Sequence, residues 1–325
     1  MTLAFSYSRP TTDSILSLLN ENISGIDFDE CKFYVRGLHD NFLLKAGSLK
    51  YILRLYRTQW RTEEAIRFEL DVLNFLKNKG LNVSAPIQNN QLDYLLAYDA
   101  PEGRRFATLY PYAKGVAPDT KLNLKCTKLL GQSVAKLHLS LDDFESEYSK
   151  VELDEKELID HSIIHISNYI TETQLDYLRL VGDKIKGKLS VIDKKIANFG
   201  VVTGDINFRN FHIDDQNHII HFDFDQCGYA YRAFELGKFA SFIAPMGNKQ
   251  ALFDAFLSGY SEHIKLTEDE LKTIPLFEMA SVIWVMAIAA QNIELIGYKW
   301  VEGDFWVERI ARLKKLEETF IASSP

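Results

Sequence analysis

The strongest constraint on the fold of this chain is a change in its hydrophobic period near residue 115. Before that point, residues 31–56 form short runs of β-branched and aromatic residues separated by turn residues, which predicts three antiparallel strands. After it, apolar residues mostly recur at the 3.6-residue period of a helix. Residues 211–225 are the exception, because the DDQN turn between two apolar runs predicts a β-hairpin. The pattern therefore predicts a small β-rich lobe and a larger helical lobe.

Local signals predict the other elements. A helix over 61–80 is expected to begin after Thr62 as N-cap and to end at Gly80. Strands are also predicted at APIQNN (85–90), LDYLLAYDA (92–100) and RRFATLYPYAKG (104–115), the first two as a pair. Other helices are predicted at 11–23, 121–141, 155–170 and 171–185 and in four later segments. The boundaries that follow are an N-terminal lobe over 1–112, a C-terminal lobe over 113–325 and a hinge at about 110–115.

The composition of the chain bears on which partners and which cellular compartment are expected. The 37 Lys and Arg residues against 45 Asp and Glu give a formal charge of −8, which disfavours non-specific nucleic-acid binding. The N-terminus lacks the basic and apolar regions of a secretion signal, and Cys31, Cys126 and Cys227 are widely spaced, so a reduced cytoplasmic protein is expected. The apolar run at 279–290 is too short to span a bilayer and predicts a core helix, so no membrane partner is expected. Oligomeric state is left open.

The chemistry is concentrated around the predicted hairpin. Asp205 and Asn210 are five residues apart in GDINFRN, and Asp223 follows the second strand. Because a hairpin brings its two ends together, Asn210 and Asp223 are expected to converge, with Asp205 beside them. An amide oxygen and a carboxylate are suitable ligands for Mg²⁺, and the remaining aspartate can accept a proton from an attacking hydroxyl. This set predicts kinase-type phosphoryl transfer that uses ATP and Mg²⁺.

The same stretch carries a family resemblance. Residues 203–243, TGDINFRNFHIDDQNHIIHFDFDQCGYAYRAFELGKFASFI, resemble the H-G-D-x-x-x-x-N and I-D-x-D elements of the aminoglycoside phosphotransferase-like superfamily. They look most like the branch that includes homoserine kinase type II and the bacterial stress-response kinases. The resemblance covers about 30–315 and implies an α+β, protein-kinase-like fold of two lobes. The smaller lobe would hold an antiparallel sheet and one helix, and the larger would be mainly helical.

The resemblance implies roles for individual residues. Asp205 would be the catalytic base, and Asn210 with Asp223 the metal ligands. The nucleotide-binding positions would be Arg54, Glu69, Gly37, Tyr110 and Tyr112. Arg54 stands where many relatives carry a phosphate-binding lysine, Glu69 would pair with it, and the two tyrosines lie in the connector YPYAKG.

Three departures from the family pattern affect these assignments. Thr203 replaces the histidine of H-G-D, a residue that is mainly architectural in the family. Arg54 binds phosphate differently from lysine, although a guanidinium can do so in a bidentate way, and its alternative is a surface charge on a strand. The loop RGLHDN contains only Gly37, which predicts a looser phosphate cover than a glycine-rich loop gives.

Candidates for the acceptor side lie in the catalytic loop and near the C-terminus. Asn207 and Arg209 are candidates for contact with the acceptor or the γ-phosphate, and the alternative for Arg209 is an ion pair with Asp223 or a nearby acid. Asp225 is a candidate contact or alternative metal ligand. Residues 297–310 combine aromatic and acidic side chains that either bind an ammonium group by cation–π contacts or pack the last helix on the core. The histidines His138, His212, His218 and His221 are interpreted as packing or hairpin residues.

The predicted activity is transfer of the γ-phosphate of ATP to a hydroxyl of a small molecule that resembles an aminoglycoside, homoserine or choline. Two alternatives stay open from the sequence. One is a Ser/Thr protein kinase of the stress-response type. The other is a non-catalytic nucleotide-binding regulator, which the departures at Arg54, Thr203 and Gly37 favour.

Overall fold

The computed structural model describes residues 5–118, 123–190, 192–195 and 198–323. The chain forms two compact units. The first contains residues 1–116, 145–150 and 211–225, and the second contains residues 117–144, 151–210 and 226–325. The first unit thus takes in the hairpin, and the lobe boundaries drawn at 112 and 113 stay a prediction.

The described residues form these strands and helices. The strands are β1 (Glu30–Arg36), β2 (Asp40–Ala46), β3 (Leu49–Leu55), β4 (Leu96–Ala100), β5 (Gly103–Pro111), β6 (Phe199–Val202), β7 (Phe211–Ile213), β8 (Ile219–His221) and β9 (Gly228–Tyr231). The α-helices are α1 (Thr12–Asn22), α2 (Glu63–Asn78), α3 (Leu124–Ser140), α4 (Ser162–Ile166), α5 (Glu172–Leu189), α6 (Arg232–Ile243), α7 (Lys249–Tyr260), α8 (Glu268–Gln291), α9 (Ile293–Ile296) and α10 (Phe305–Ser323). A π-helical turn covers Lys156–His161, and short 3₁₀ turns cover Ser167–Tyr169 and Tyr298–Trp300.

The first unit is built on a five-stranded antiparallel sheet with strand order β1-β2-β3-β5-β4. Helix α2 begins where predicted, because the Thr62 hydroxyl accepts a hydrogen bond from the Ala65 amide at 3.1 Å. It ends before Gly80, whose φ of +81° is a conformation that glycine adopts without strain. The predicted apolar face is buried, as expected for a helix packed on a core: Ile66, Leu70, Leu73 and Leu76. The predictions for this helix and for the first three strands are confirmed.

Of the two strands predicted to pair at 85–90 and 92–100, the first does not form. Residues 92–100 do contain β4, but β4 pairs with β5, and residues 85–90 form no strand. Pro86 has no backbone N–H to donate to a ladder, which explains why this apolar run does not pair as a strand. Its neighbour Ile87 still donates one backbone hydrogen bond to Leu109 of β5, at 2.8 Å.

The predicted hairpin is confirmed. Strands β7 and β8 are antiparallel, with Phe211 opposite His221. The turn between them places Asn217 at a φ of 64°, and the Asp214 carboxylate accepts hydrogen bonds from the amides of Gln216 and His218 at 2.9 and 2.8 Å. Asp214 is therefore a turn former, as the DDQN sequence predicts.

The second unit is mainly helical. Helices α3 and α7 cross closely: a Cβ on Gly131 would lie 2.0 Å from the Phe256 carbonyl oxygen, and one on Gly259 would lie 2.0 Å from that of Lys128. Helix α8 is long and apolar enough to cross a membrane, but 78% of its most apolar window is buried inside the protein, as expected for a core helix. The sequence did not predict the antiparallel pair β6–β9, in which Phe199 lies opposite Tyr231. Each of these strands has four residues, FGVV and GYAY, and neither alternates apolar with polar residues.

Candidate active site

A buried carboxylate on α6 fixes the start of the loop that carries Asp205. Glu235 accepts hydrogen bonds from the backbone amides of Thr203, at 3.1 Å, and Gly204, at 2.8 Å, and from the Thr203 hydroxyl. Gly204 is required here, because its φ is +75° and a Cβ would lie 2.1 Å from the Gln226 carbonyl oxygen. Thr203, which replaces the family histidine, therefore remains part of the support for this loop.

His138 on α3 completes this buried network. Its Nε2 lies 2.7 Å from Glu235 Oε2, and its Nδ1 lies 2.8 Å from the Tyr260 hydroxyl. Burial raises the pKa of the Glu235 carboxyl, but His138 and the Thr203 donors lower it more, so it lies below its ordinary value. His138, interpreted from the sequence as a packing residue, is thus a hydrogen-bonded member of this network.

The structure brings Asp205, Asn207 and Asn210 together. Asp205 Oδ2 accepts hydrogen bonds from the amide nitrogens of Asn207 and Asn210, at 3.1 and 2.9 Å. Both amides also donate to the Asp205 backbone carbonyl, at 3.1 and 3.0 Å. Hydrogen bonds from both asparagines therefore hold the Asp205 carboxylate in place within the loop from 205 to 210. Arg209 is exposed, and its backbone amide donates to Asn207 Oδ1 at 2.8 Å.

Lys238 is a member of this site that sequence reasoning missed. It lies on α6 and is only 6% exposed. Its ammonium nitrogen is 3.5 Å from Asp205 Oδ1, 3.4 Å from Gln226 Oε1 and 4.4 Å from the centre of the Trp284 ring. A lysine within the otherwise apolar stretch LGKFASFI was the available signal, because lysine is rarely buried without a partner.

In the first unit, Arg54 contacts Glu69, its predicted partner, and Asp223, which was predicted as a metal ligand and not as a partner of Arg54. Its guanidinium donates to Glu69 Oε1 at 3.1 Å and to Asp223 Oδ1 at 2.8 Å. Arg54 and Glu69 are buried, so the alternative of a surface charge on a strand does not hold for Arg54. The Asp223 side chain is 41% exposed, and its backbone φ of 65° is uncommon for a residue other than glycine.

Two buried tyrosines extend the Arg54 cluster. The Tyr56 hydroxyl donates to Glu69 Oε2 at 3.3 Å and lies 3.0 Å from the Tyr110 hydroxyl. The Arg54 guanidinium is 5.7 Å from the centre of the Tyr110 ring. Tyr110 therefore contacts the Arg–Glu pair through its side chain.

Tyr112 and Gly37 have more open surroundings. Tyr112 is half-buried, with Lys50 Nζ at 5.8 Å and the His212 ring at 5.6 Å from its ring centre. The Gly37 amide donates to the His39 carbonyl at 3.0 Å. A Cβ at Gly37 would meet no described heavy atom within 4 Å, so glycine is not required here for space.

Asp225 is held on all sides by protein donors. His39 Nε2 and Arg61 Nε lie 2.9 and 3.0 Å from its Oδ1, and Arg61 Nη2 and Trp60 Nε1 lie 3.0 and 3.1 Å from its Oδ2. Burial alone would raise the pKa of this carboxyl, but Arg61 and His39 hold it well below its ordinary value. Since both oxygens are already engaged, the geometry favours an anchoring role for Asp225 and leaves Asp223 as the more accessible acid. Sequence reasoning missed His39, Trp60 and Arg61.

The aromatic segment near the C-terminus packs α10. The Trp306 ring stacks on Tyr169, with centroids 5.6 Å apart and an interplanar angle of 15°. The Arg309 guanidinium already lies 3.5 Å from the centre of the Phe305 ring. These contacts favour the packing alternative over an ammonium site. The side chain of Trp300, which belonged to the predicted cluster, lies outside the described residues.

Comparison with known proteins identifies the family. The model of the phosphotransferase enzyme family matches residues 30–272. The chain belongs to this family. A curated relative, the uncharacterized protein sll1119 of Synechocystis sp. (strain ATCC 27184 / PCC 6803 / Kazusa), is 33% identical over 291 residues, which cover 89% of this chain and 81% of that protein. An uncharacterized protein of Deinococcus radiodurans is 28% identical over 289 residues, which cover 87% of this chain and 83% of that protein.

Solved phosphotransferase structures share the fold. A microcompartment-associated aminopropanol kinase superposes with a TM-score of 0.78 at 17% identity, covering 96% of this chain and 98% of its own. An amicoumacin kinase, solved with AMP-PNP, Ca²⁺ and Ami, gives 0.75 at 22% identity and covers 89% and 88%. The choline kinase LicA of Streptococcus pneumoniae gives 0.65 at 14% identity and covers 95% and 98%. The predicted superfamily, kinase-like fold and kinase class are confirmed, whereas the branch with homoserine kinase type II stays a prediction.

In this phosphotransferase, replacing Arg54 with lysine is expected to lower the free energy of unfolding by about 1.5–3 kcal/mol, the contribution of a charged hydrogen bond. A single ammonium does not reproduce the planar fork that bonds Glu69 and Asp223 together. The measurement is urea unfolding at pH 7. Arg67→Lys is the matched control, because Arg67 bridges Glu63 and Asp93 on a more exposed surface and is expected to change stability by less than about 1 kcal/mol. Equal losses in the two variants would contradict the prediction.

Proposed function

We propose that this protein transfers the γ-phosphoryl group of ATP to a hydroxyl of a small molecule, with Mg²⁺ as cofactor and Asp205 as the base. The observation that carries the proposal is the Asp205 loop. Among the described residues, Asp205 Oδ2 is held by two amides, whereas the one contact of Oδ1 is with the Lys238 ammonium at 3.5 Å. A fixed carboxylate with one lightly engaged oxygen is what a general base needs.

Asn210 and Asp223 are the proposed ligands of Mg²⁺. The amide nitrogen of Asn210 is used by Asp205, and its amide oxygen takes no part in those hydrogen bonds. Asn210 directly precedes Phe211, and Asp223 follows His221 by two residues, while Phe211 and His221 lie opposite each other in the hairpin. The accessible carboxylate of Asp223 supports the same assignment. When bound, Mg²⁺ would neutralise charge on the phosphate oxygens.

Arg54 is the proposed phosphate contact, with Glu69 orienting it. Among the residues that the structure describes, the Arg54 Nε–H is buried without a hydrogen-bond partner. Because that nitrogen is buried, a phosphate oxygen would have to reach the guanidinium through the 10% of the Arg54 side chain that is exposed, and hydrogen bonds between a guanidinium and a phosphate are charge-assisted. The backbone near Gly37 and the connector at Tyr110 and Tyr112 are proposed to line the nucleotide site.

The proposed reaction moves one proton and one phosphoryl group. The acceptor hydroxyl gives its proton to Asp205 Oδ1 while its oxygen forms a bond to the γ-phosphorus. The bond from that phosphorus to the β,γ-bridging oxygen breaks, and ADP leaves with the electron pair. The solved kinases named above have amicoumacin, aminopropanol and choline in their names, which supports a small-molecule acceptor. A cytoplasmic location is proposed from the cysteine usage.

The pure protein is expected to form ADP and a phosphorylated product when given ATP, Mg²⁺ and a matching acceptor. A panel of amino alcohols, sugars and aminoglycosides, with casein as a protein substrate, would be followed by ³¹P NMR. EDTA is expected to abolish turnover, and added Mg²⁺ to restore it. Transfer to casein alone would favour a protein kinase. Thermal stabilisation by ATP and Mg²⁺ without transfer to any acceptor would favour a nucleotide-binding regulator.

A further inference from the structure

The buried ammonium beside Asp205 has no role in the reaction described so far. Lys238 lies on the buried helix α6, in which Phe234 and Phe239 are fully buried. Placing a charged group there is costly, because an ammonium loses its hydration. Burial lowers the pKa of Lys238, while the carboxylates of Asp205 and Glu235 oppose that change. An apolar residue would avoid this cost, so the lysine requires an explanation.

A contribution to the stability of the fold explains little of why a lysine stands at position 238. The contacts of Lys238 with Asp205 and Gln226 are 3.5 and 3.4 Å long, beyond the usual range of a charge-assisted hydrogen bond. Lys249 in the same unit shows the contrast, because its ammonium lies 2.7 and 2.8 Å from the two oxygens of the buried Glu278. Within the part of the chain that the structure describes, Lys238 thus has the charge of an ion-pair partner without the close contacts that would make the pair a strong one.

The ammonium distinguishes the two oxygens of Asp205. Oδ2 is held by the amides of Asn207 and Asn210, and Oδ1 faces Lys238. The two amides alone leave the other side of the carboxylate free to tilt about its Cβ–Cγ bond. A positive charge fixed on that side by α6, with the Trp284 ring 4.4 Å away, attracts Oδ1 and restricts this rotation.

We propose that Lys238 is a positioning residue for the base: its ammonium keeps Oδ1 of Asp205 oriented to receive the proton of the acceptor hydroxyl. This inference rests on the proposed function, because it assigns Lys238 an effect only through Asp205. The long contact suits that task, since a short ion pair would occupy the oxygen that must accept the proton.

The test compares Lys238→Met, Lys238→Gln and Lys238→Arg with the control Lys249→Met. The first two are expected to lower kcat by about 10–10²-fold, the effect of a misplaced catalytic group, with the KM for ATP and for the acceptor changed far less. Lys238→Arg keeps the charge and is expected to recover part of kcat. Lys249→Met removes a partly buried ion pair from the same unit, so it is expected to lower the melting temperature but not kcat measured well below that temperature.

A second measurement separates positioning from a general structural effect. In an Asp205→Asn background, Lys238→Met is expected to cause almost no further loss, because the residue through which it acts is already changed. An unchanged kcat in Lys238→Met and Lys238→Gln, or equal losses with and without Asp205, would overturn the inference alone. A wild-type protein without any phosphoryl transfer would overturn the proposed function and this inference with it.

Discussion

Replacing Asp205 with asparagine is expected to lower kcat by about 10²–10⁴-fold, the range that a positioned general base contributes. Asparagine preserves the shape of the side chain and an oxygen for the amides of Asn207 and Asn210. It removes the carboxylate that would take the hydroxyl proton. Binding of ATP and Mg²⁺ should change little, because the proposed phosphate and metal ligands are retained. Steady-state ADP formation and nucleotide titration measure the two quantities.

Asp215→Asn is the matched control for this experiment. Asp215 is an exposed acid in the hairpin turn, so the same chemical change there is expected to leave kcat near the wild-type value. A near-normal kcat in Asp205→Asn would remove Asp205 from the role of base. A loss of ATP binding equal to the loss of kcat would instead indicate a damaged nucleotide site.

Replacing Glu235 with alanine is expected to lower the free energy of unfolding by about 3–5 kcal/mol, the range for breaking a buried ionic network on one side. The change leaves the buried amides of Thr203 and Gly204 and the His138 ring without their acceptor. Urea unfolding at pH 7 measures the loss. Glu262→Ala is the control, because Glu262 accepts hydrogen bonds from Lys128 and Gln132 on the surface. Its replacement is expected to lower the free energy of unfolding by less than about 1 kcal/mol.

The contribution of Glu235 should also depend on pH. Because the folded-state pKa lies below the ordinary value of 4.5, the ionised carboxylate stabilises the protein above pH 4.5. That contribution is lost as the pH falls through the folded-state value. The difference in unfolding free energy between the wild type and Glu235→Gln is therefore expected to shrink on going from pH 7 to pH 3. A difference that stays constant over this interval would contradict the assignment.

Features set by neighbouring residues were predictable from the sequence. Helix α2 follows from the Thr62 cap, the apolar spacing and Gly80, all within one segment. The hairpin follows from the DDQN turn, and the grouping of Asp205 with Asn210 follows from their separation of five residues. In each case the decisive interactions are local, so composition and period contain the information.

Features set by distant partners were not predictable. The side chains of His39, Trp60 and Arg61 all donate to the Asp225 carboxylate, which lies more than 160 residues away in the chain. Lys238 meets Asp205 only because α6 folds back on the loop after β6. Strands β6 and β9 pair across an intervening hairpin. No local spacing encodes such contacts.

The anchoring of the Asp205 loop bears on how enzymes of this kind are found in genomes. Glu235 accepts hydrogen bonds mainly from the backbone N–H groups of residues 203 and 204. Any amino acid except proline at position 203 would supply the first of these N–H groups. A histidine before Gly-Asp is therefore dispensable as a diagnostic mark. What the loop physically requires is the glycine, Gly204, and the acid about thirty positions further on, Glu235. Searches that demand the histidine would pass over chains built in this way.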